Sequence, residues 1–194
     1  MTGEIFLIRH GETEWTLSGQ HTSRTDLPLT EAGRNQAKAL GQILKGMLPA
    51  KRTSLVLSSP MRRAMDTCHL TGFDPQIEDN LREWDYGSYE GLTSGDIHKS
   101  APGWTIWTGP VPGGESPEQI GARADRVIQR CLSVLDNSGD AALFSHGHML
   151  RVLAARWLGL APDAGRFLAL ETASVSALGW EHKTRVVRLW NQTA

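Results

Sequence analysis

Three short, unbroken apolar runs constrain the fold most. They are Ile5-Phe6-Leu7-Ile8, Leu55-Val56-Leu57 and Ala141-Ala142-Leu143-Phe144. None is long enough for a buried helix, and none alternates with polar residues as a half-exposed strand would. Such runs read as strands covered on both faces, as in the middle of a parallel sheet. Amphipathic helical patterns separate them. Thr30 to Leu48 carries Leu40, Ile43, Leu44, Met47 and Leu48 on one helical face. Ser59-Pro60 reads as an N-cap with proline at the first position of a helix through about Leu70. Ser116-Pro117-Glu118-Gln119 reads as a capping box opening a helix with Ile120, Ala124, Val127, Ile128, Cys131 and Leu135 on one face. A helix is expected from His148 to about Leu158, and a closing hairpin from Ser174–Trp180 and Arg185–Trp190. Strand–helix alternation with short connections predicts an α/β fold, a three-layer α/β/α sandwich on a mostly parallel central sheet.

At 194 residues, with no internal repeat, the expectation is a single domain over 1–194. Within it, 71–117 holds much of the glycine, proline and tryptophan and reads as an excursion over one end of the sheet, covering the active site. Twenty Lys+Arg against 21 Asp+Glu leave a formal charge of −1, so neither nucleic acid nor an anionic membrane is expected as a partner. No apolar run approaches the roughly 20 residues of a membrane span. Met1 leads into the first strand without a basic or cleavable leader, and Cys68 and Cys131 form no paired motif. The expected location is therefore cytoplasmic.

The residues after the three strands carry the chemistry. The first strand runs into Arg9-His10-Gly11-Glu12-Thr13, the second into Ser58-Ser59-Pro60-Met61-Arg62-Arg63, the third into Ser145-His146-Gly147-His148. In parallel neighbours these segments meet at one rim, where ligands of such sheets bind. Arginine suits phosphate through its planar, permanently charged fork. A neutral imidazole is a nucleophile, and nearby arginines should hold His10 neutral by like-charge repulsion. Arg63 follows Arg62 by about 100° of helix rotation, so it reads as a surface or structural cation. His146 and His148 could form a metal pair, but the arginines beside them would repel a cation.

Arg9-His10-Gly11-Glu12-Thr13 resembles the RHG[ED][TS] signature of the histidine phosphatase superfamily, which holds cofactor-dependent phosphoglycerate mutases and many phosphatases. "GQHTSRTDLPLTEAGRNQA", "SSPMRRAMDT", "LREWDYGSYEGL" and "FSHGHMLRVLAARWLGL" follow in the family's order, so the resemblance spans nearly the whole chain. It implies His10 as the nucleophile that becomes phosphorylated, with Arg9, Arg62 and His146 binding the transferring phosphoryl group. Glu83 would protonate the leaving oxygen and then activate water; Asp85 and Glu90 are its neighbours in sequence. Thr16, Gln20, His21, Thr22 and Ser23 would shape the pocket, and Tyr86 matches a tyrosine that lines the substrate site. Gly147 would let the backbone approach the ligand, and His148 would contact substrate or support those that do. Arg151, one turn on, reads as a structural hydrogen-bonding residue. No cofactor and no metal are implied.

Within the family, the mutases resembled here carry an extra lysine and paired arginines where this chain has Ser94 and Trp107-Thr108-Gly109, and an asparagine where it has Thr16. These departures point to water as the acceptor. The expected activity is hydrolysis of small phosphomonoesters, with sugar phosphates the best match, in the manner of sedoheptulose-bisphosphatase-type enzymes and bacterial acid phosphatases. Trp104 to Trp107 and Pro110 to Glu115 would wall the leaving group. A phosphoglycerate mutase and a non-catalytic module for phosphorylated ligands are the competing readings. The partner is a small phosphorylated metabolite, and an exposed edge or helix is open to pairing as a homodimer.

Overall fold

A computed structural model describes residues 3–135 and 139–194. The three apolar runs form β1 (Ile5–Arg9), β2 (Thr53–Ser58) and β4 (Asp140–Ser145). The short β3 (Gln76–Ile77) has no signal in the sequence, because a two-residue strand carries no period. With β5 (Val175–Glu181) and β6 (Thr184–Gln192) they build one sheet in the order β3-β2-β4-β1-β5-β6. The first four run parallel; β5 is antiparallel to β1, and β6 to β5. The mostly parallel sheet and the closing hairpin are as expected.

Alternation along the central strands feeds two apolar layers. Ile5, Leu7, Leu57, Ala141 and Leu143 face the longest helix, α5 (Pro117–Leu135), and α6 (Gly147–Trp157). Phe6, Ile8, Ala142 and Phe144 face α2 (Glu31–Met47) and α3 (Arg62–Thr71). Helices on both faces complete the three-layer sandwich. All six residues expected on the inner face of α5 are buried. Its start is closed reciprocally: Ser116 N–H donates to Gln119 Oε1 at 2.7 Å, and Gln119 N–H to Ser116 Oγ at 3.3 Å.

The helix after β2 begins later than its proline suggests. Arg62 is its first residue, Met61 precedes it, and no side chain caps it. Ser59 lies ahead of the helix, where its Oγ accepts both the Met61 N–H at 3.3 Å and the His146 Nε2–H at 2.8 Å. Between β3 and α5 lie two turns of 3-10 helix, Asp79–Leu81 and Gly87–Tyr89, and the short α4 (Ser94–Ser100). The remaining short helix, α1 (Glu14–Ser18), follows β1 and is closed at its start by a Thr13–Thr16 capping box.

Register brings the chemistry together. Arg9 pairs with Ser145, and Ser58 with Phe144. The ladder runs one bond past each strand: His10 N–H donates to Ser145 O at 3.0 Å and Ser59 N–H to Phe144 O at 2.9 Å. His10, His146 and Ser59 therefore leave the carboxyl ends of three adjacent parallel strands side by side. The loop after β1 also leans on α2. A Cβ on Gly33 would lie 2.2 Å from Glu12 O, and one on Gly11 2.5 Å from Gly33 O, so backbone meets backbone there.

Candidate active site

A cavity of about 260 Å³ opens beyond β1 and β4. Arg9, His10, Thr16, Gln20, His21, Thr22, Glu83, Tyr86, Gly147 and His148 all border it. The chain segments that supply them lie far apart in sequence.

His10 is buried, and its Nδ1 lies 2.7 Å from the carbonyl oxygen of Gly11. A carbonyl only accepts, so Nδ1 carries the proton and the lone pair resides on Nε2. The ring is held neutral well below the usual imidazole range. Burial is the larger cause, followed by the charges of Arg63 and Arg9. Like-charge repulsion from the arginines acts as expected, and desolvation outweighs it because the ring is enclosed by the sheet end and the loop above it.

Arg9 shares the strand face of Ile5 and Leu7 and reaches the start of α6, where a Cβ on Gly147 would lie 3.4 Å from its Cζ. It bonds the Leu170 carbonyl through Nη1, while its buried Nε has no hydrogen-bond partner among the described residues. An unpaired buried guanidinium donor beside His10 is suited to an anionic oxygen.

The second arginine is Arg63, not Arg62. Arg62 is more than half exposed and pairs with Asp66 one turn along α3 at 3.4 Å. Arg63 is fully buried. Its Nε donates to His146 Nδ1 at 3.2 Å, Nη1 to Thr25 O at 3.1 Å, and Nη2 to Thr22 O at 3.2 Å. The rotation between adjacent helical positions separates the two as expected, but α3 starts at Arg62, so the inward position is the next one. Arg63 ties the loop at 22–25 to the His146 imidazole.

His146 is fully buried behind His10, their rings edge to face with centroids 5.2 Å apart. Its Nδ1 accepts from Arg63, so Nε2 carries the proton and donates to Ser59 Oγ at 2.8 Å. Both ring nitrogens are engaged by protein. His146 thus braces His10 and Arg63 instead of bordering the cavity, and its Nδ1 lone pair is not open to a metal. Burial and then Arg63 hold it, too, well below the usual imidazole range.

Glu83 projects from the excursion into the opposite wall. Its Oε1 accepts the N–H groups of Trp84 and Met149, both at 2.9 Å, and its Oε2 that of His148 at 3.1 Å. The start of α6 thus fixes the carboxyl group. Its neighbours serve elsewhere: Asp85 pairs with Arg24, and Glu90 accepts from Ser23 and Thr25.

Ser23 does not border this cavity. Its N–H and hydroxyl are bound by Glu90, and it lines a separate cavity with Arg24, Arg82 and Arg123. Thr16 borders the site, but its hydroxyl is committed to the Thr13 cap. The Trp104–Trp107 segment forms no direct wall. Trp104 packs on His21 and Trp107 on His148, with ring centroids 5.5 and 5.2 Å apart. The wall itself comes from α1 and the loop after it, where Trp15 and Gly19 join Thr16, Gln20 and His21.

Sequence reasoning also missed Arg151 and Leu170 as lining residues. Arg151 is bonded to Gly165 O at 3.1 Å and stacked 4.6 Å over Trp107, so its structural role holds, but its side chain also borders the cavity. The signal was available in its spacing three residues after His148 on one helix. Leu170 and Trp15 carried no such signal.

A neutral imidazole with a free Nε2, an underpaired guanidinium and a carboxyl group gather around one cavity at the carboxyl ends of a parallel sheet, a set suited to an anionic ester. The chain belongs to the histidine phosphatase superfamily (branch 1), whose sequence profile matches residues 5–193. It is 42% identical over 182 residues to an acid phosphatase of Mycobacterium tuberculosis, covering 93% of this chain and 88% of that protein. It is 35% identical over 188 residues to the sedoheptulose 1,7-bisphosphatase of Saccharomyces cerevisiae, covering 82% and 69%. The solved structure of an open-reading-frame product from M. tuberculosis superposes with a TM-score of 0.94 at 39% identity, over 100% of this chain and 99% of that one. No helix among the described residues is long and apolar enough to cross a membrane.

Proposed function

We propose that this protein is a phosphatase for small phosphomonoesters, sugar phosphates foremost, acting through a phosphohistidine at His10. The observation that carries the reading is the His10 Nδ1–Gly11 carbonyl contact, which leaves Nε2 free on the wall shared with Arg9 and Glu83. Membership of the family, and the names of the acid phosphatase and sedoheptulose bisphosphatase relatives, support the same activity.

In the first step the Nε2 lone pair attacks phosphorus and the bond from phosphorus to the ester oxygen breaks. Arg9 takes charge from the equatorial oxygens through its guanidinium N–H groups. Glu83 in its acid form gives a proton to the departing oxygen. Oε2 is the seat of that proton, because it accepts one N–H while Oε1 accepts two. In the second step water attacks phosphorus, Glu83 takes the water proton, the N–P bond breaks, and orthophosphate leaves with His10 and Glu83 restored. Arg63 and His146 hold the nucleophile in place from behind.

The lining favours hydrolysis over return of the phosphoryl group to a phosphoglycerate. No lysine among the described residues borders the cavity, and Trp15, Gln20, His21 and Thr22 line it together with Arg151. Uncharged polar groups suit a hydroxylated leaving group. A cytoplasmic setting belongs to this reading, supported by Cys68 and Cys131, both free and buried.

Turnover of p-nitrophenyl phosphate, abolished in His10→Ala, tests the activity. Rapid quench during turnover of wild-type protein tests the intermediate: acid-labile, base-stable phosphate on the chain is expected. Catalysis that survives His10→Ala would overturn the proposal.

A further inference from the structure

The cavity holds a second imidazole whose hydrogen bonding is set from behind. His148 Nδ1 lies 2.6 Å from the Tyr86 hydroxyl. Tyr86 is buried, and that hydroxyl has no other hydrogen-bond partner among the described residues. A buried O–H left without an acceptor is costly, so the phenol donates and Nδ1 accepts. The neutral ring then carries its one proton on Nε2. Burial holds the ring neutral, aided by the charge of Arg151, and it keeps the phenol protonated.

The donor so created has a definite place. The His148 backbone N–H is bonded to Glu83 Oε2, and Nδ1 lies 3.9 Å from that oxygen. The ring packs against Trp107 and edge-on to Trp84, with centroids 5.2 and 6.4 Å away, and cannot turn freely. Nε2 has no protein partner among the described residues, and His148 borders the cavity. An uncharged N–H is therefore carried by a cavity-lining ring whose own backbone N–H holds the Glu83 carboxyl group.

We infer that His148 is a specificity-determining residue: Nε2–H donates to a hydroxyl oxygen of the leaving group, selecting phosphate esters of polyols over esters of plain alcohols of the same carbon count. This rests on the phosphatase reading above. A site built to pair with a substrate hydroxyl discriminates against the analogue that lacks it, because its own donor is then left unpaired. Tyr86 acts through His148 as the positioning residue that fixes the tautomer.

The test compares kcat/KM for glycerol 1-phosphate and n-propyl phosphate on each enzyme preparation. Their ratio cancels the concentration of active protein, so partial misfolding of a variant does not obscure it. Wild type should favour the glycerol ester by about tenfold or more, the worth of one well-made hydrogen bond. His148→Phe should collapse the ratio toward one, and His148→Gln, which places an amide N–H near the Nε2 position, should recover part of it. Tyr86→Phe should lower the ratio by freeing the other tautomer. In wild type, ¹⁵N-histidine spectra should show His148 protonated at Nε2. A ratio near one in wild type, a ratio unchanged in His148→Phe, or a proton on Nδ1 would each overturn the inference. Hydrolysis of both esters with an unchanged ratio overturns it alone; no hydrolysis of either ester and no phosphate on His10 overturns the phosphatase reading with it.

Discussion

Replacing Arg63 with methionine separates the roles of the two adjacent arginines. The inward guanidinium donates to His146 Nδ1 at 3.2 Å and to the carbonyls of Thr25 and Thr22 at 3.1 and 3.2 Å. Methionine fills a similar volume but leaves those three acceptors without their donor. A buried acceptor deprived of its partner costs about 1–3 kcal/mol, and the loop carbonyls lie near enough to solvent for water to replace part of the loss, so the expected destabilisation is about 3–5 kcal/mol. Arg62→Met removes only an exposed i,i+4 ion pair to Asp66, worth about 0.3–0.5 kcal/mol. Urea denaturation of both variants at neutral pH measures the contrast. Kinetics supply an independent check. After burial, Arg63 is the largest influence holding His10 and His146 neutral, so its removal raises both imidazoles and moves the acid limb of kcat/KM to higher pH. Equal destabilisation by the two variants, or an unmoved acid limb in Arg63→Met, would refute the placement of Arg63 behind the nucleophile.

Glu83→Gln should depress hydrolysis of alkyl phosphates far more than that of p-nitrophenyl phosphate, whose leaving group needs little protonation; parallel losses would remove the acid role. Stability should fall as pH drops below about 6.5, because His10, His146 and His148 stay neutral in the fold well below that value while the unfolded chain binds their protons. Each contributes up to about 1.4 kcal/mol per pH unit, fully present above the unfolded value and lost on acidification toward the folded one. Urea midpoints that stay level between about pH 7 and 5 would contradict this. Gly33→Ala should destabilise by about 1–3 kcal/mol and lower turnover, since its Cβ would meet Glu12 O at 2.2 Å and push α2 off the loop that carries His10; unchanged melting would refute the close approach. Activity should persist in EDTA, and strict dependence on an added metal would overturn the metal-free mechanism.

Much of this was legible in the sequence because it rests on local rules. The all-apolar runs of β1, β2 and β4 announce strands buried on both faces, and the Ser116–Gln119 box announces α5. Placing His10 and His146 after parallel strands brings them to one rim without further information, and the order of motifs identifies the family. Glu83 stood out by its motif alone. What the chain did not disclose depends on where each side chain turns in three dimensions. Whether Arg62 or Arg63 points inward hinges on a helix that starts two residues beyond its proline. Ser23 looks like a pocket residue until Glu90, 67 positions away, takes its hydroxyl and N–H. Trp15 reaches the cavity from the five-residue α1 and Leu170 from a loop, segments too short or irregular to carry a period. The tautomers of His10, His146 and His148 are the clearest case. An imidazole has two nitrogens and one proton to place between them. The partner that decides is Gly11 next door for the first, Arg63 on another helix for the second, and Tyr86, 62 positions away in sequence, for the third, so reactivity written as residue types becomes definite only once the fold supplies each ring with its partner.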